Sequence, residues 1–136
     1  MNGTFLNKAF NAEEQAQIQN TTVSADKNPE YNTNPGNATT DKVFLLSINE
    51  VEKYFNSDEA RKCAPTAYAK AQGAYTSDSY KTASGAATCW WWLRSPGFNR
   101  STAACVYSDG SVSCSGGDVN GGSGAVRPAL WINLDS

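Results

Sequence analysis

The chain has 136 residues, a formal net charge of −2 and no histidine. This length fits one domain whose hydrophobic core needs no support from metal or disulfides. Scattered lysines and arginines argue against a nucleic-acid-binding surface, and the sequence contains no apolar run long enough to cross a membrane. Without histidine, the chain lacks the most common general base and zinc ligand. We therefore expect a domain with no catalytic residues, no metal site and no cofactor.

The four cysteines, Cys63, Cys89, Cys105 and Cys114, lack the CxxC spacing of zinc and redox motifs. They are also too sparse for a fold that depends on disulfides. An even number would permit two disulfides, but we expect free or partly buried thiols. The pattern leaves the cellular compartment open.

The first 24 residues are predicted to be largely helical. Asn11 can cap a helix whose first turn carries Glu13 and Glu14, where carboxylates interact favourably with the helix dipole. Residues 24–40 contain two Asn-Pro pairs and one Pro-Gly pair. This polar segment is predicted to be a surface loop between elements.

The middle of the chain has the pattern of a packed scaffold. The apolar run Val43–Leu46 predicts a buried strand. Ser47 and Glu50 then have the spacing of a capping box. The helix that begins there would bury one apolar face, formed by Ile48, Val51, Tyr54 and Phe55. A short helix is predicted from Thr66 to Gln72, closed by Gly73, with its alanines packed closely against a larger neighbour.

Two segments rich in large apolar residues lie on either side of a segment rich in glycine and serine. The first covers residues 89–97, CWWWLRSPG, and the second covers residues 125–132, AVRPALWI. Both are predicted to be core strands, with the tryptophans as scaffold and with Arg94 and Arg127 holding loop carbonyls. Residues 98–125 contain no Lys, Glu, Gln, Met or Trp, although these types make up 22 of the other 108 residues.

The enclosed segment contains a predicted hairpin. Ser108-Asp109-Gly110 suits a three-residue loop with glycine in a left-handed conformation. The resulting register pairs Val106 with Val112, Tyr107 with Ser111, and Cys105 with Ser113. The side chains would divide between the core (Ala104, Val106, Val112) and solvent (Cys105, Tyr107, Ser111, Ser113). A two-residue turn would place Cys105 opposite Cys114 but would put the valines on opposite faces, which hydrophobic patterning disfavours.

Several stretches of the chain resemble a domain family common in gut bacteria and their phages. The most specific are WWLRSPG at residues 91–97 and VRPALWI at residues 126–132. Other matching stretches are NGTFLNKAF, AEEQAQI, DKVFLLS, EVEKYF and PTAYAKAQGA. The family is similar to the C-type-lectin-like variable proteins of diversity-generating retroelements. In those systems Asn codons are randomised by miscopied adenines and never become Lys, Glu, Gln, Met or Trp codons, the five types missing from residues 98–125.

The resemblance implies one α+β domain over residues 1–136 with a C-type-lectin-like fold: small mixed sheets, two or more helices and a long irregular loop region. It further implies a ligand-binding domain without enzymatic activity, whose variable region is residues 98–125. The side chains expected to contact ligand offer rigid aromatic area, adaptable hydrogen bonds and one cation. They are Phe98, Asn99, Arg100, Ser101, Thr102, Cys105, Tyr107, Ser108, Ser111, Ser113, Cys114, Ser115, Asp118, Asn120 and Ser123.

The expected partner is a protein or glycan on a cell surface, which favours display outside the cell or on a phage particle. Two alternatives stay open. One is a lectin-like module with a fixed carbohydrate- or protein-binding surface. The other is an oxidoreductase like the formylglycine-generating enzymes, with Cys105 and Cys114 as its cysteine pair, although neither has a neighbouring base or cation to lower its pKa. Because the calcium motifs of sugar-binding lectins are missing, we expect binding without calcium.

C-type-lectin-like domains usually pair an N-terminal strand with the C-terminal one. The chain begins at a point that follows such a strand in the resembling family. We therefore expect the apolar segment Val126–Leu134 to lie at an exposed sheet edge. An edge of this kind predicts either self-association or pairing with residues upstream in a longer chain.

Overall fold

The computed structural model describes residues 2–134. Its helices are α1 (Asn2–Ala9), α2 (Ala12–Gln17), α3 (Ile48–Tyr54), α4 (Asp58–Arg61) and α5 (Ala67–Ala71). Its strands are β1 (Thr21–Val23), β2 (Thr39–Asp41), β3 (Trp91–Pro96), β4 (Thr102–Val106) and β5 (Val112–Asp118). The architecture is mixed α+β, as the sequence predicts.

The strands form two small sheets, one of β1 and β2 and one in the order β3-β4-β5. Both sheets are antiparallel, whereas the sequence predicted mixed sheets; a parallel bridge joins Trp91 to Ala125 beside the larger sheet. In that sheet Val106 pairs with Trp91 on one side and with Val112 on the other. Paired residues share a face, so these three side chains point the same way.

Two hydrophobic clusters hold the elements together. The larger lies between α3 and the three-stranded sheet and consists of Ile48, Val51, Cys89, Trp91, Leu93, Ala104, Val106 and Ala125. The smaller consists of Leu6, Ile18 and Val43. Trp91 is the largest fully buried side chain, and its indole N–H donates to the carbonyl of Arg61 at 3.2 Å. This bond satisfies the one polar atom that burying the indole takes from water.

The predicted helix caps at Asn11 and Ser47 are confirmed. The Asn11 side chain accepts the backbone N–H of Glu14, and the Glu14 carboxylate accepts the N–H of Asn11. Ser47 and Glu50 make the same reciprocal pair at the start of α3. Each box satisfies two backbone donors that the first helical turn would otherwise leave unpaired.

The predicted apolar faces of the helices are only partly correct. Ile48 and Val51 are buried in α3, but Tyr54 is 46% exposed and packs edge-on against Trp131. The reason is that the N-terminal turn is the part of α3 held against the sheet, where the N–H of Ile48 donates to Ser95 Oγ. Helix α5 is found where expected, yet no residue within it is buried, so its alanines do not pack closely.

Three predicted assignments along the chain are wrong. Residues 21–23, placed in the helical zone, form β1, because a Thr-Thr-Val run favours extended backbone. The Val43–Leu46 run lies outside the named strands and meets Ala129 through a single bridge at Phe44. Val126–Leu134 makes isolated bridges rather than a strand. Within it Pro128 has no N–H to donate to a sheet ladder.

The C-terminal segment has a partner within the chain. The N–H of Gln19 donates to the carbonyl of Trp131 at 2.9 Å, and the N–H of Asn133 donates to Gln17 at 2.8 Å. Residues 17–19, at the end of α2, therefore pair with the C-terminal segment, so that segment is not the unpaired edge that was predicted. Apolar side chains nevertheless remain exposed along this segment: Val126, Trp131, Ile132 and Leu134.

The polar loop between β1 and β2 is anchored to the larger sheet. Asn28 is only 4% exposed, and its side-chain amide donates to the carbonyls of Pro96 at 2.8 Å and Cys114 at 2.7 Å. Thr33 Oγ1 donates to the carbonyl of Gly97 at 2.8 Å. The loop is thus fixed against β3 and β5 instead of forming the free surface excursion that its composition predicts.

Arg94 holds loop carbonyls, as predicted. Its Nε donates to the carbonyl of Ser24 at 3.1 Å, and its Nη1 donates to that of Leu45 at 2.9 Å. The guanidinium also forms an ion pair with the Glu50 carboxylate. One side chain on β3 therefore joins the start of the polar loop, the segment before α3 and the first turn of α3.

Candidate functional site

Most of the side chains predicted to contact ligand reach the surface. Exposed are Phe98, Arg100, Ser101, Tyr107, Asp118, Asn120 and Ser123. Half-buried are Asn99, Ser108, Ser111, Cys114 and Ser115. Buried are Thr102, Cys105 and Ser113. The last three therefore lie beneath the surface that the others form.

The prediction that Cys105 and Ser113 face solvent is wrong, although the register behind it is confirmed. The two residues pair across β4 and β5. Trp92 pairs with Cys105 from the other side and therefore shares its face. Residues 119–124 then cross over this face, with Gly121 and Gly124 against the Trp92 indole. Alternation along a strand assigns side chains to two faces, but it does not reveal that a later segment covers the second face.

The buried hydroxyls fix the backbone that carries the exposed residues. Thr102 Oγ1 accepts the N–H of Asn99 at 3.1 Å and donates to the carbonyl of Asn99 at 3.2 Å. Ser113 Oγ accepts the N–H of Gly116 at 3.1 Å. Asn99 in turn accepts the N–H and the hydroxyl of Ser101. The turn at residues 98–101 is therefore held by several local hydrogen bonds.

A groove of about 630 Å³ lies between residues 30–34 and the turn at residues 98–101. The rings of Tyr31 and Phe98 meet edge to face in it, with 6.3 Å between centroids. Arg100 also lines the groove. The contribution of Tyr31 was not predicted from the sequence. The one signal for it was that Tyr31 is the single aromatic residue in the polar segment 24–40.

Other predicted contact residues lie at the same end of the sheet. Asp118 pairs with Thr102 at the end of the β4–β5 ladder. The N–H of Val119 donates to the carbonyl of Ser101 at 2.9 Å. Asp118 and Asn120 are therefore near the turn that carries Phe98 and Arg100. We call the groove and these neighbours the Phe98 surface: Tyr31, Phe98, Arg100, Ser101, Asp118 and Asn120.

A second groove, of about 350 Å³, lies at the opposite end of β4, beside the hairpin loop. Its aromatic lining consists of Tyr75, Tyr80, Trp90 and Tyr107, and its polar lining includes Ser77, Ser79, Ser108 and Asp109. The three tyrosines are 45–48% exposed. We call this set the Tyr107 groove. Of the residues in the Tyr107 groove, only Tyr107 and Ser108 were predicted to contact ligand. The predicted contact residues therefore line two separate grooves rather than one.

The hairpin loop beside this groove has the predicted three-residue geometry. The N–H of Tyr107 donates to the carbonyl of Ser111, and the N–H of Gly110 donates to that of Tyr107, both at 2.9 Å. Gly110 has a φ of +89°. Hydrogen bonds from the hydroxyl and N–H of Ser111 hold the pKa of the Asp109 carboxyl below its usual range. Asp109 therefore carries a negative charge at neutral pH.

Neither Cys105 nor Cys114 has the environment of a reactive cysteine. Burial raises the pKa of both thiols to about 11, and Cys105 pairs with Ser113 rather than with Cys114. Within residues 2–134, no group of three or more His, Cys, Asp or Glu side chains is placed to hold a metal ion. In the same part of the chain, no helix combines the length and apolar character needed to span a membrane.

The comparisons with known proteins give a family but no function. The chain matches no curated protein and no solved structure. Residues 1–134 match a family model described as Domain of unknown function (DUF6273). Because this match covers nearly all of the 136 residues, the chain belongs to the DUF6273 family.

Proposed function

We propose that this chain is a ligand-binding domain with a C-type-lectin-like fold that presents a diversifiable surface, similar to the variable proteins of diversity-generating retroelements. It acts without calcium and without enzymatic activity, and its partner is a protein on a cell surface. The observation that carries the proposal is a contrast within residues 98–125. Their backbone is fixed by strand pairing and local hydrogen bonds, whereas Phe98, Arg100, Tyr107 and Asn120 are exposed.

The pairing of the two ends of the chain supports the fold that we propose. C-type-lectin-like domains bring an N-terminal segment beside the C-terminal one, and Gln19 hydrogen-bonds to Trp131 here in that manner. The long polar loop and the crossing segment 119–124 supply the irregular region expected between the strands of such a domain.

The chemistry of the Phe98 surface supports a protein as ligand. Tyr31 and Phe98 offer rigid aromatic area that loses little conformational entropy on binding. Arg100 adds a cation of the type that often anchors protein interfaces, and Ser101 and Asn120 add adaptable hydrogen-bonding groups. One side of the groove, formed by the polar loop, would stay the same, whereas the side chains of residues 98–101 on the other side would vary. Different ligands would then bind in the same position and orientation.

Two libraries test the proposal. In the first, Phe98, Arg100, Tyr107 and Asn120 are randomised with codons derived from Asn codons; in the matched control, the buried Thr102, Ala104, Cys105 and Val106 are randomised in the same way. We expect most members of the first library to fold and selection against an unrelated protein to yield binders, and most control members not to fold. Equal loss of folding in both libraries, or no binders among well-folded members, would contradict the proposal.

The genomic locus provides a second test. Active diversification requires a reverse transcriptase gene nearby and an imperfect repeat of the segment that encodes residues 98–125, with Asn codons at the varied positions. If the locus contains neither element, the proposal of a binding domain would stand, but the proposal that its surface is diversified would be wrong.

The Tyr107 groove favours one alternative function, a module with a fixed glycan-binding surface. Sugars stack their apolar faces on aromatic rings, and four such rings line this groove next to the ionised Asp109. A glycan array with the wild-type protein, Tyr80→Ala and Phe98→Ala separates the two functions. Glycan binding that Tyr80→Ala abolishes and Phe98→Ala preserves would establish the alternative.

A further inference from the structure

Two cysteines that lie far apart in the sequence are direct neighbours in the fold. Cys63 follows α4 and Cys89 precedes β3, and the two residues form an antiparallel bridge. The N–H of Cys89 donates to the carbonyl of Cys63 at 2.8 Å. Residues opposed in a hydrogen-bonded antiparallel pair have Cα atoms about 5.5 Å apart, which falls within the usual range for disulfides. Both cysteines are free thiols.

The two thiols differ in access and in acidity. Cys63 is half-buried, whereas Cys89 is only 1% exposed. The Cys89 thiol donates to the backbone carbonyl of Cys63 at 3.3 Å. The close approach of the Cys89 thiol, aided by the charge of Arg127 and opposed by burial, lowers the pKa of Cys63 to about 6. The neighbouring Cys63 thiol, together with burial, raises the pKa of Cys89. The pair therefore holds one accessible thiolate and one buried, protonated thiol near neutral pH.

Arg127 supplies the positive charge beside this pair. It was predicted to hold loop carbonyls, but its guanidinium lies over the rings of Phe55 at 4.8 Å and Trp91 at 5.1 Å. Its Nη1 is buried without a hydrogen-bond partner among the described residues. A guanidinium packed between rings keeps its charge, and a cation next to a cysteine stabilises the thiolate.

We propose that Cys63 and Cys89 form a thiol–disulfide exchange site that low-molecular-weight disulfides oxidise reversibly. The Cys63 thiolate attacks one sulfur of the small disulfide, whose S–S bond breaks and whose other half leaves as a thiolate. Cys89 then loses its proton to solvent and attacks the Cys63 sulfur, which displaces the second small thiolate. In total the protein loses two electrons and the single proton of Cys89, and the small disulfide leaves as two thiolates that take up protons from solvent.

The oxidised bond would tie the end of α4 to the start of β3. The bond would lie close to the Tyr107 groove, because Trp90, which lines that groove, follows Cys89 directly in the sequence. The proposal does not depend on the proposed binding function, because it concerns a pair of residues outside both grooves.

The test uses glutathione disulfide as the oxidant and the reduced, folded protein. After incubation at pH 7 and acid quenching, remaining thiols are blocked in denaturant and the peptides are identified by mass spectrometry. We expect a Cys63–Cys89 disulfide, with Cys105 and Cys114 still reduced. Cys89→Ser should stop at a mixed disulfide that carries one glutathione on Cys63, and Cys63→Ser should take up none. Cys105→Ser and Cys114→Ser are matched controls that should behave like the wild-type protein.

Thiol labelling of the wild-type protein guards against cysteine variants that fail to fold, and one substitution outside the cysteines extends it. Iodoacetamide should alkylate Cys63 before the other three cysteines, with a rate that rises through a midpoint near pH 6, and Arg127→Gln should move this midpoint upward. Equal labelling of all four cysteines, a midpoint near the ordinary thiol value of about 8.5, or no pairing of Cys63 with Cys89 under glutathione disulfide would overturn the proposal.

Discussion

Gly124 packs directly against Trp92, so closely that a Cβ added to the glycine would lie 2.4 Å from the indole Nε1. The same Cβ would meet Trp90 at 2.6 Å. The two indoles also pack against each other, with 4.7 Å between ring centroids. The glycine is therefore required by the space between the crossing segment and these two rings.

Gly124→Ala should lower stability by about 1–3 kcal/mol, the usual cost of forcing an extra methyl group into a packed site. Gly122→Ala is the matched control, because a Cβ at residue 122 would have no heavy atom within 4 Å. Urea denaturation of the two variants and the wild-type protein measures the difference. Indistinguishable midpoints for the two variants would show that the crossing segment does not rest on the indoles.

Substitutions of buried and of exposed residues within 98–125 should have opposite outcomes. Val106→Asp should unfold the domain, because Val106 is fully buried and the new carboxylate would have no partner. The combined alanine variant of Phe98, Arg100, Tyr107 and Asn120 should keep the wild-type fold, since surface substitutions usually change stability by about 0.5 kcal/mol or less each. Thermal melts followed by circular dichroism compare them, and a similar loss of melting temperature in both would disprove this division.

The sequence predicts well those features that depend on neighbouring residues. Ser47 and Glu50 are close in sequence, so the capping box could be recognised without knowing the fold, and the same holds for the hairpin loop at Gly110. The alternation around Val106 also placed it correctly in the core. Local hydrogen bonds and strand periodicity are enough to determine each of these features.

Features that depend on distant segments could not be predicted in the same way. Cys105 is buried on the face of the sheet that it shares with Trp92. Gly121 and Gly124 of the crossing segment lie against the Trp92 indole on that face, and neither strand carries a signal for this crossing. Tyr31 meets Phe98 because Asn28 and Thr33 anchor the polar loop beside the turn that carries Phe98. These contacts are set by tertiary packing, which leaves no periodic pattern in the sequence.

The ion pair between Glu50 and Arg94 predicts a dependence of stability on pH. Burial raises the pKa of Glu50, but hydrogen bonds from Arg94 and Ser47 outweigh burial and hold this pKa below its ordinary value of 4.5. A carboxyl with a lowered folded-state pKa adds stability that is present above its unfolded-state pKa and is lost as the pH falls through the folded-state value. Glu50→Gln should therefore be less stable than the wild-type protein at pH 7 and should lose less stability on acidification.

Urea denaturation at pH 7, 4 and 3 measures this effect. Glu52→Gln, a change at an exposed position on the same helix, serves as the control and should follow the wild-type curve. Parallel pH curves for Glu50→Gln and the wild-type protein would show that the ion pair adds no pH-dependent stability.

Chelation of calcium should change neither stability nor ligand binding. The sequence lacks the oxygen-rich calcium motifs of sugar-binding lectins, and residues 2–134 contain no cluster of three or more acidic, His or Cys side chains suited to a metal ion. Melting temperatures in EDTA and in calcium chloride provide the measurement. A clear rise of the melting temperature with calcium, absent with magnesium, would reveal a site.

Self-association through the C-terminal segment stays a prediction. Ile132 and Leu134 are 53% and 91% exposed, and exposed apolar residues favour contact with another chain. The average mass from light scattering should rise with protein concentration, and the double change Ile132→Ser and Leu134→Ser should suppress that rise. Tyr68→Ser, at an aromatic residue elsewhere that is 76% exposed, is the control. A constant monomer mass in the wild-type protein would exclude this association.

The hairpin loop beside Tyr107 is packed too closely against α4 to accept an inserted residue. A Cβ at Gly110 would lie 1.8 Å from the carbonyl oxygen of Asp58, and Arg61 Nε donates to the carbonyl of Gly110 at 2.8 Å. A residue inserted into this loop would push it off α4 and break both contacts. Antibody loops vary in length as well as in sequence. A repertoire built on this hairpin would instead consist of proteins with superimposable backbones, each different only in the side chains that it presents.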